Sequence, residues 1–212
     1  MCAAVRRPVF ARVYPRVAAA MDESGFAGHR RRLLTGLGGE VVEVGAGPGG
    51  NFRHYPPQVT RVLATEPEPR LRALAAAAAA GAPVPVTVVD GTAARLPVAD
   101  RSADAVVFCL VLCSVPDPAA ALEEALRVLR PGGRVHALEH VRAASPGLAR
   151  VQRVLDATLW PPLAGGCHLG RDPAAAIERA GFVVERQEEF LFPPRPTVSS
   201  AHVLTVARAP GR

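Results

Sequence analysis

Glu43-Val44-Gly45-Ala46-Gly47-Pro48-Gly49-Gly50-Asn51 is the stretch that decides the fold class of this 212-residue chain. Residues 40–44 form a short β-branched run that reads as a buried strand. Glycines directly after such a strand let the backbone turn sharply and approach a ligand closely. The loop alone is ambiguous, because Gly45, Gly47 and Gly50 also satisfy the dinucleotide spacing GxGxxG.

Outward from the loop, strands and helices alternate. Strands are expected at 40–44, 59–65, 84–89, 103–110 and 133–139. Helices are expected near Asn51 and at 68–80, 118–129, 146–160 and 173–180. Strands separated by helices imply right-handed crossovers and a parallel sheet. Runs at 182–190 and 201–207 are joined by a short loop, which allows antiparallel pairing. Two acidic residues close strands: Glu66, 66 − 47 = 19 residues after Gly47, and Asp90, followed by Gly91 and Thr92. A carboxylate at Glu66 can accept both ribose hydroxyls of an adenosine. The turn at Asp90 is a place to meet an adenine edge.

With these features and Leu129-Arg130-Pro131-Gly132-Gly133 in place, residues 40–207 resemble the class I S-adenosylmethionine-dependent methyltransferases of the type 11 domain. The resemblance implies an α/β, Rossmann-like, seven-stranded and mostly parallel sheet. It also implies an antiparallel last strand and helices on both faces. The implied cofactor is S-adenosylmethionine. Its amino acid end would meet Glu43, Gly45, Ala46 and Gly47. Glu66 would hold the ribose, Pro67 would neighbour the adenine, Asp90 would meet the adenine amine, and Gly91 and Thr92 the ring. Main chain near Cys109 and Leu110 would meet the methionyl ammonium.

Further segments resemble the methyltransferase-like 7 group of alkyl thiol methyltransferases. They are Gly49-Gly50-Asn51-Phe52 with Tyr55-Pro56, Leu112-Cys113-Ser114-Val115, Glu139-His140-Val141, Leu155-Asp156 with Trp160, and Gly166-Cys167-His168-Leu169. That group carries a hydrophobic N-terminal anchor. This chain begins with a basic, interrupted segment instead, so membrane residence does not carry over.

Residues 1–32 hold seven Arg against Asp22 and Glu23, a net +5 out of the formal +6 of the whole chain. Val9, Phe10, Val13, Val17 and Ala20 recur at helical spacing, and a second helix is expected at about 24–37. These helices read as an N-terminal cap over 1–38, ahead of a catalytic domain at 39–212. The cap is either a solvated appendage or a lid, with peripheral membrane contact as a lesser reading. All 25 cations are Arg, a bias that fits GC-rich codons, so the pI near 10 carries little weight for nucleic-acid binding. Aromatics at 5% also disfavour a base-stacking platform. No nucleic-acid partner is expected.

None of Cys2, Cys109, Cys113 and Cys167 forms a CxxC, and no run reaches signal-peptide or membrane-span length. Reduced thiols and a cytoplasmic location are expected. No metal site is expected, because Cys109 and Cys113 lack a second ligand pair.

His140, just past the fifth strand, is the candidate general base, with a structural histidine as the rival reading. Cys113 reads as a small pocket-lining residue. Phe10, Tyr14, Trp160 and Leu163 could wall an apolar acceptor pocket. The expected activity is methyl transfer to a small-molecule acceptor, with an alkyl thiol foremost. Alternatives are O- or N-methylation of a quinone, lipid or secondary metabolite. A nicotinamide-dependent dehydrogenase, a non-catalytic cofactor module and an RNA methyltransferase stand further off.

Overall fold

The computed structural model describes residues 7–211. Seven strands form one sheet in the order β3-β2-β1-β4-β5-β7-β6. The strands are β1 (Gly39–Val44), β2 (Val59–Thr65), β3 (Val86–Val89), β4 (Ala103–Cys109), β5 (Leu129–His140), β6 (Val183–Leu191) and β7 (Ala201–Arg208). The first five pair in parallel, whereas β7 pairs antiparallel with both β5 and β6. The expected fold class is therefore the observed one. Sequence order reverses at β1, so the crevice for a ligand opens at the carboxyl ends of β1 and β4.

The helices are α1 (Pro8–Met21), α2 (Ala27–Leu34), α3 (Pro69–Ala79), α4 (Pro118–Val128), α5 (Pro146–Asp156), α6 (Trp160–Leu163) and α7 (Pro173–Arg179). Three of them start in the same way. The carboxylates of Glu68, Asp117 and Asp172 accept backbone N–H groups of the first turn, and a Pro follows each cap. The cap satisfies an orphan donor, and Pro loses nothing at a position with no N–H partner.

Alternation along β4 sorts side chains to the two faces. Val106 and Phe108 join α4 and α7 around Leu122, Ala125 and Ile177. Ala105 and Val107 face the other way, into a cluster with Phe26, Leu33, Leu34, Leu138 and Leu204. The N-terminal segment thus supplies core to the sheet. His136 on β5 fastens it further, with its Nδ1 2.7 Å from the Leu33 carbonyl.

Several elements differ from expectation. The helix expected near Asn51 is a single 3₁₀ turn, Phe52–His54. Pro56 forces Tyr55 into extended backbone and stops it there. The sheet face that a longer helix would cover is filled by α2, Phe52 and Tyr55. The second N-terminal helix is shorter than 24–37: Gly25 at φ 113° breaks the chain within a wide turn at Asp22–Phe26, and Thr35 turns extended after Leu34. The segment expected as one helix over 146–160 is split into α5 and α6, with consecutive prolines Pro161 and Pro162 entering the second piece.

Candidate functional site

The glycine loop lies between β1 and the turn at Phe52. Gly45, Gly47 and Gly49 adopt φ of 63°, 56° and 85°, the left-handed region open to glycine. A Cβ at Gly45 would sit 2.8 Å from Val111, so the loop packs directly on the segment after β4. The Ala46 amide donates to the Thr65 carbonyl at 3.0 Å, which ties the loop to the end of β2.

Glu66 sits at that strand end. Its Oε2 accepts from the Gly47 amide at 2.8 Å and its Oε1 from the Glu68 amide at 2.9 Å. Burial raises its pKa, opposed by these two amides. A carboxylate offers about four acceptor positions, so two remain for the hydroxyls of a bound ribose. Asp90 is exposed and paired with Arg72 at 3.0 Å; the same guanidinium also donates to the main chain of Glu66 and Pro67. Gly91 packs against Pro97 and Thr65, and Thr92 pairs with Arg95 in an isolated bridge. Together these residues outline one rim of the crevice.

Glu43 lies deeper. Its carboxylate accepts from Asn51 Nδ2 at 2.9 Å and from the Tyr55 hydroxyl at 2.6 Å. Burial pushes it up to about 7 despite both bonds. Its visible work is to hold the far side of the loop through Asn51. Asn51 Oδ1 accepts in turn from Arg30 at 3.0 Å, and Arg30 pairs with Asp22 at 2.8 Å. Arg30 is only 5% exposed, whereas the sequence placed it only among the seven Arg of residues 1–32. Nothing in the Arg-rich pattern separates it from Arg31 and Arg32. Asn51, directly after the glycines, was the available signal.

The segment after β4 is shaped by Glu139. This fully buried carboxylate on β5 accepts from the amides of Val111, Leu112 and Cys113 at 2.9, 3.0 and 3.1 Å. The turn it gathers follows Leu110, which has φ 61°. Cys109 and Leu110 stand where the chain enters this turn. Burial pushes the Cys109 thiol up to about 11, and its sulfur lies 3.3 Å from Arg30.

His140 is the next residue on β5. Its Nδ1 lies 3.7 Å from Cys113 Sγ and 3.5 Å from Cys167 Sγ. A hydrogen bond with Cys113 and the neighbouring imidazole hold the Cys167 thiol well below its ordinary range. His202 stacks obliquely beside His140 at 4.5 Å between ring centres, and burial drops its pKa to about 3.

Helix α1 lies across this crevice. The ring of Tyr14 is 3.4 Å from where a Gly47 Cβ would stand, and Phe10 stacks on Tyr14 at 4.7 Å. Phe10 in turn fills the space a side chain at Gly165 would need. Desolvation pushes the Tyr14 phenol up to about 12, within electrostatic reach of Arg30, Cys109, Cys113 and Glu66. Of the four expected wall residues, Phe10 and Tyr14 meet over the loop, and Trp160 packs against the Cys113–Cys167 cluster. Leu163 is exposed.

A family model described as a methyltransferase domain matches residues 42–137. The thiol S-methyltransferase TMT1B of Rattus norvegicus is 38% identical over 168 residues, covering 76% of this chain and 67% of its own length. The chain belongs to the S-adenosylmethionine-dependent methyltransferases. The thiol S-methyltransferase TMT1A of Homo sapiens is 41% identical over 147 residues, with coverage of 67% and 59%. This methyltransferase thus spans about three-fifths to two-thirds of the length of those relatives. More distant is the ubiquinone/menaquinone biosynthesis C-methyltransferase UbiE of Nitrobacter hamburgensis, 35% identical over 102 residues, with coverage of 48% and 38%. In fold, the methyltransferase matches the crystal structure of an S-adenosylmethionine-dependent methyltransferase from Mesorhizobium loti at a TM-score of 0.63 and 23% identity, covering 89% and 99%. Its cofactor is S-adenosylmethionine. The half-satisfied carboxylate of Glu66 and the bare backbone of Gly45 and Gly47 fit that group.

Proposed function

We propose that this enzyme methylates a small alkyl thiol. The observation that carries the reading is how the polar groups beside the glycine loop are engaged. Glu139 is taken by three amides and Glu43 by Asn51 and Tyr55, and among the described residues the Nδ1 of His140 faces two sulfurs rather than a carboxylate that would orient the ring as a base. A hydroxyl acceptor needs a free, positioned base, worth about 10²–10⁴-fold. A thiol, with a reference pKa of about 8.5, supplies some thiolate near neutral pH unaided. The names of the rat and human relatives support the same acceptor class.

In this reading the bound cofactor supplies an activated methyl group on a sulfonium. The chain supplies position and dryness. Glu66 holds the ribose, with Pro67, Asp90, Gly91 and Thr92 along the adenine edge. Gly45, Ala46, Gly47 and main chain at Cys109 and Leu110 receive the amino acid end, and Glu43 steadies that loop through Asn51. His140 faces the acceptor pocket with Cys113 and Cys167. Residues 1–38 act as a cap on the catalytic domain at 39–212. Through Tyr14 and Phe10 the cap closes the crevice, and it moves when ligands enter.

No helix among the described residues is long and apolar enough to cross a membrane. On α1, however, Val9, Val13 and Val17 are 77%, 53% and 45% exposed in one stripe, with Arg12 and Arg16 exposed beside them. That pattern fits peripheral contact with an anionic bilayer by a cytoplasmic enzyme.

The similarity to the UbiE enzyme supports a second reading, C-methylation of a quinone ring. Competition for labelled methyl among an alkyl thiol, a phenol, a quinol and an amine tests the proposal. Preferential labelling of the thiol supports it, and preferential labelling of any other acceptor overturns it.

A further inference from the structure

Cys113, His140 and Cys167 stand 27 residues apart in each step along the chain, a spacing that belongs to no metal motif. The fold brings their donor atoms within 4.8 Å of one another. We propose that these three side chains form a zinc site with one open position, and that the sulfur of the acceptor thiol takes that position. The proposal rests on the thiol reading for its fourth ligand only.

The distances favour a metal. Zinc–sulfur bonds of about 2.3 Å and zinc–nitrogen bonds of about 2.0–2.1 Å, at tetrahedral angles, set a sulfur-to-nitrogen edge of about 3.6 Å. The two observed edges are 3.7 and 3.5 Å. Both involve the same nitrogen, His140 Nδ1, as a shared vertex requires. The charges also suit a dry site. Two thiolates and a neutral imidazole balance a dication, so no net charge is buried. Cys113 and Cys167 are 0% and 5% exposed.

The site is held from outside by groups that do not ligate. The His168 amide donates to the Cys113 carbonyl at 2.7 Å, which joins the two cysteine-bearing loops. Arg171 donates to the carbonyls of Leu112 and Val115, both at 2.7 Å. Asp156 accepts from the amides of Leu169 and Gly170 at 2.7 Å and fixes the second loop. Glu139 fixes the first from below. Such outer contacts orient metal ligands. The buried indole N–H of Trp160, whose ring packs against this cluster, makes no close hydrogen bond among the described residues and is suited to a metal-bound sulfur at Cys167.

Three protein ligands and an open fourth position are the pattern of a catalytic zinc. The acceptor thiol would bind there and give its proton to water. Its sulfur then forms the new bond to the methyl carbon as the sulfonium carbon–sulfur bond breaks. That electron pair stays on the departing sulfur, which becomes a neutral thioether. The methylated acceptor is also a neutral thioether. It holds zinc far less well than a thiolate, so release follows.

Cobalt(II) reports the site without relying on turnover. Fully reduced full-length protein, titrated with cobalt(II) under argon, is expected to bind one ion per chain. It should develop thiolate-to-cobalt charge transfer and strong tetrahedral d–d bands. Cys167→Ser and His140→Gln should weaken or shift those bands, and Cys109→Ser should leave them in place. Ethanethiol should change the d–d spectrum, and zinc should displace the cobalt. Reduced, folded protein that takes up neither ion overturns the site, as does a spectrum indifferent to both ligand variants. A cobalt spectrum indifferent to saturating ethanethiol overturns the open position. Metal-free enzyme that methylates thiols at an undiminished rate sinks the proposal while the thiol reading stands. A thiol-responsive metal site in an enzyme that labels only phenols or amines sinks the thiol reading instead.

Discussion

The Glu66 carboxylate accepts a hydrogen bond from the Gly47 amide at 2.8 Å, and this contact joins the end of β2 to the middle of the glycine loop. One residue thereby shapes the loop and faces the crevice. The bond explains why a carboxylate stands there even before a ligand arrives.

Glu66→Ala should weaken S-adenosylmethionine binding tenfold or more. Charge-assisted hydrogen bonds to the ribose are worth roughly 1.5–3 kcal/mol each, and tenfold is about 1.4 kcal/mol. Calorimetry on the folded variant checks this. An unchanged affinity would remove Glu66 from the cofactor site.

Glu139→Ala should be among the most destabilising single changes in the chain. It leaves the amides of Val111, Leu112 and Cys113 without their acceptor. An unpaired buried donor costs about 1–3 kcal/mol, so the loss should reach about 3 kcal/mol or more. Glu139→Gln keeps one acceptor oxygen, which serves Val111 and Leu112, and should lose less. Denaturant unfolding of the two variants gives the comparison, and equal stability would contradict the role assigned to the carboxylate.

Glu43 should make stability fall as pH rises. Burial places its folded-state pKa at about 7 against 4.5 when exposed. Between those values the folded chain holds a proton that the unfolded chain has lost, so the group's contribution declines from about pH 4.5 to about pH 7. The full span is on the order of 3 kcal/mol. Glu43→Gln removes this dependence, so the stability of the parent relative to the variant should drop across that window. A difference that stays flat or grows with pH contradicts a proton held at Glu43.

Tyr14→Ala should open the crevice. Tyr14 overlies Gly47 and stands outside the core cluster on that face of the sheet. The variant should bind cofactor at least as fast as the parent and turn over several-fold more slowly. Stopped-flow binding beside steady-state rates separates the two effects. Unchanged turnover on a good acceptor would leave Tyr14 a surface packing residue.

Much of this was legible in the chain itself, for local reasons. Glycines after a β-branched run and acidic residues closing the next two strands are short-range signals, and they marked the loop, Glu66 and Asp90 as candidates. The short connection before β7 allowed its antiparallel pairing with β6, and the family resemblance implied the antiparallel last strand. What the sequence hid depends on distant pairing. Arg30 becomes a buried partner of Asp22 and Asn51 only when α2 lies on the sheet. Glu139 looked like a neighbour of a candidate base, yet it organises a turn 26 to 28 residues earlier. Cys113, His140 and Cys167 meet only because β4 and β5 end side by side while the loop after α6 folds back over them. The shortened helix near Asn51 was overridden by tertiary packing, since α2 already fills that face.

The central claim is that the acceptor atom is a thiol sulfur, and a matched pair of acceptors tests it most directly. An alkyl thiol and the alcohol of the same carbon skeleton fill the same pocket and differ at one atom. The measurement is kcat/KM for each with S-adenosylmethionine, with the methylated product identified by mass. The account predicts a methyl thioether as the product and a kcat/KM for the thiol at least about 10²-fold above the alcohol, the low end of what a missing base would cost. Equal or faster methylation of the alcohol would contradict it.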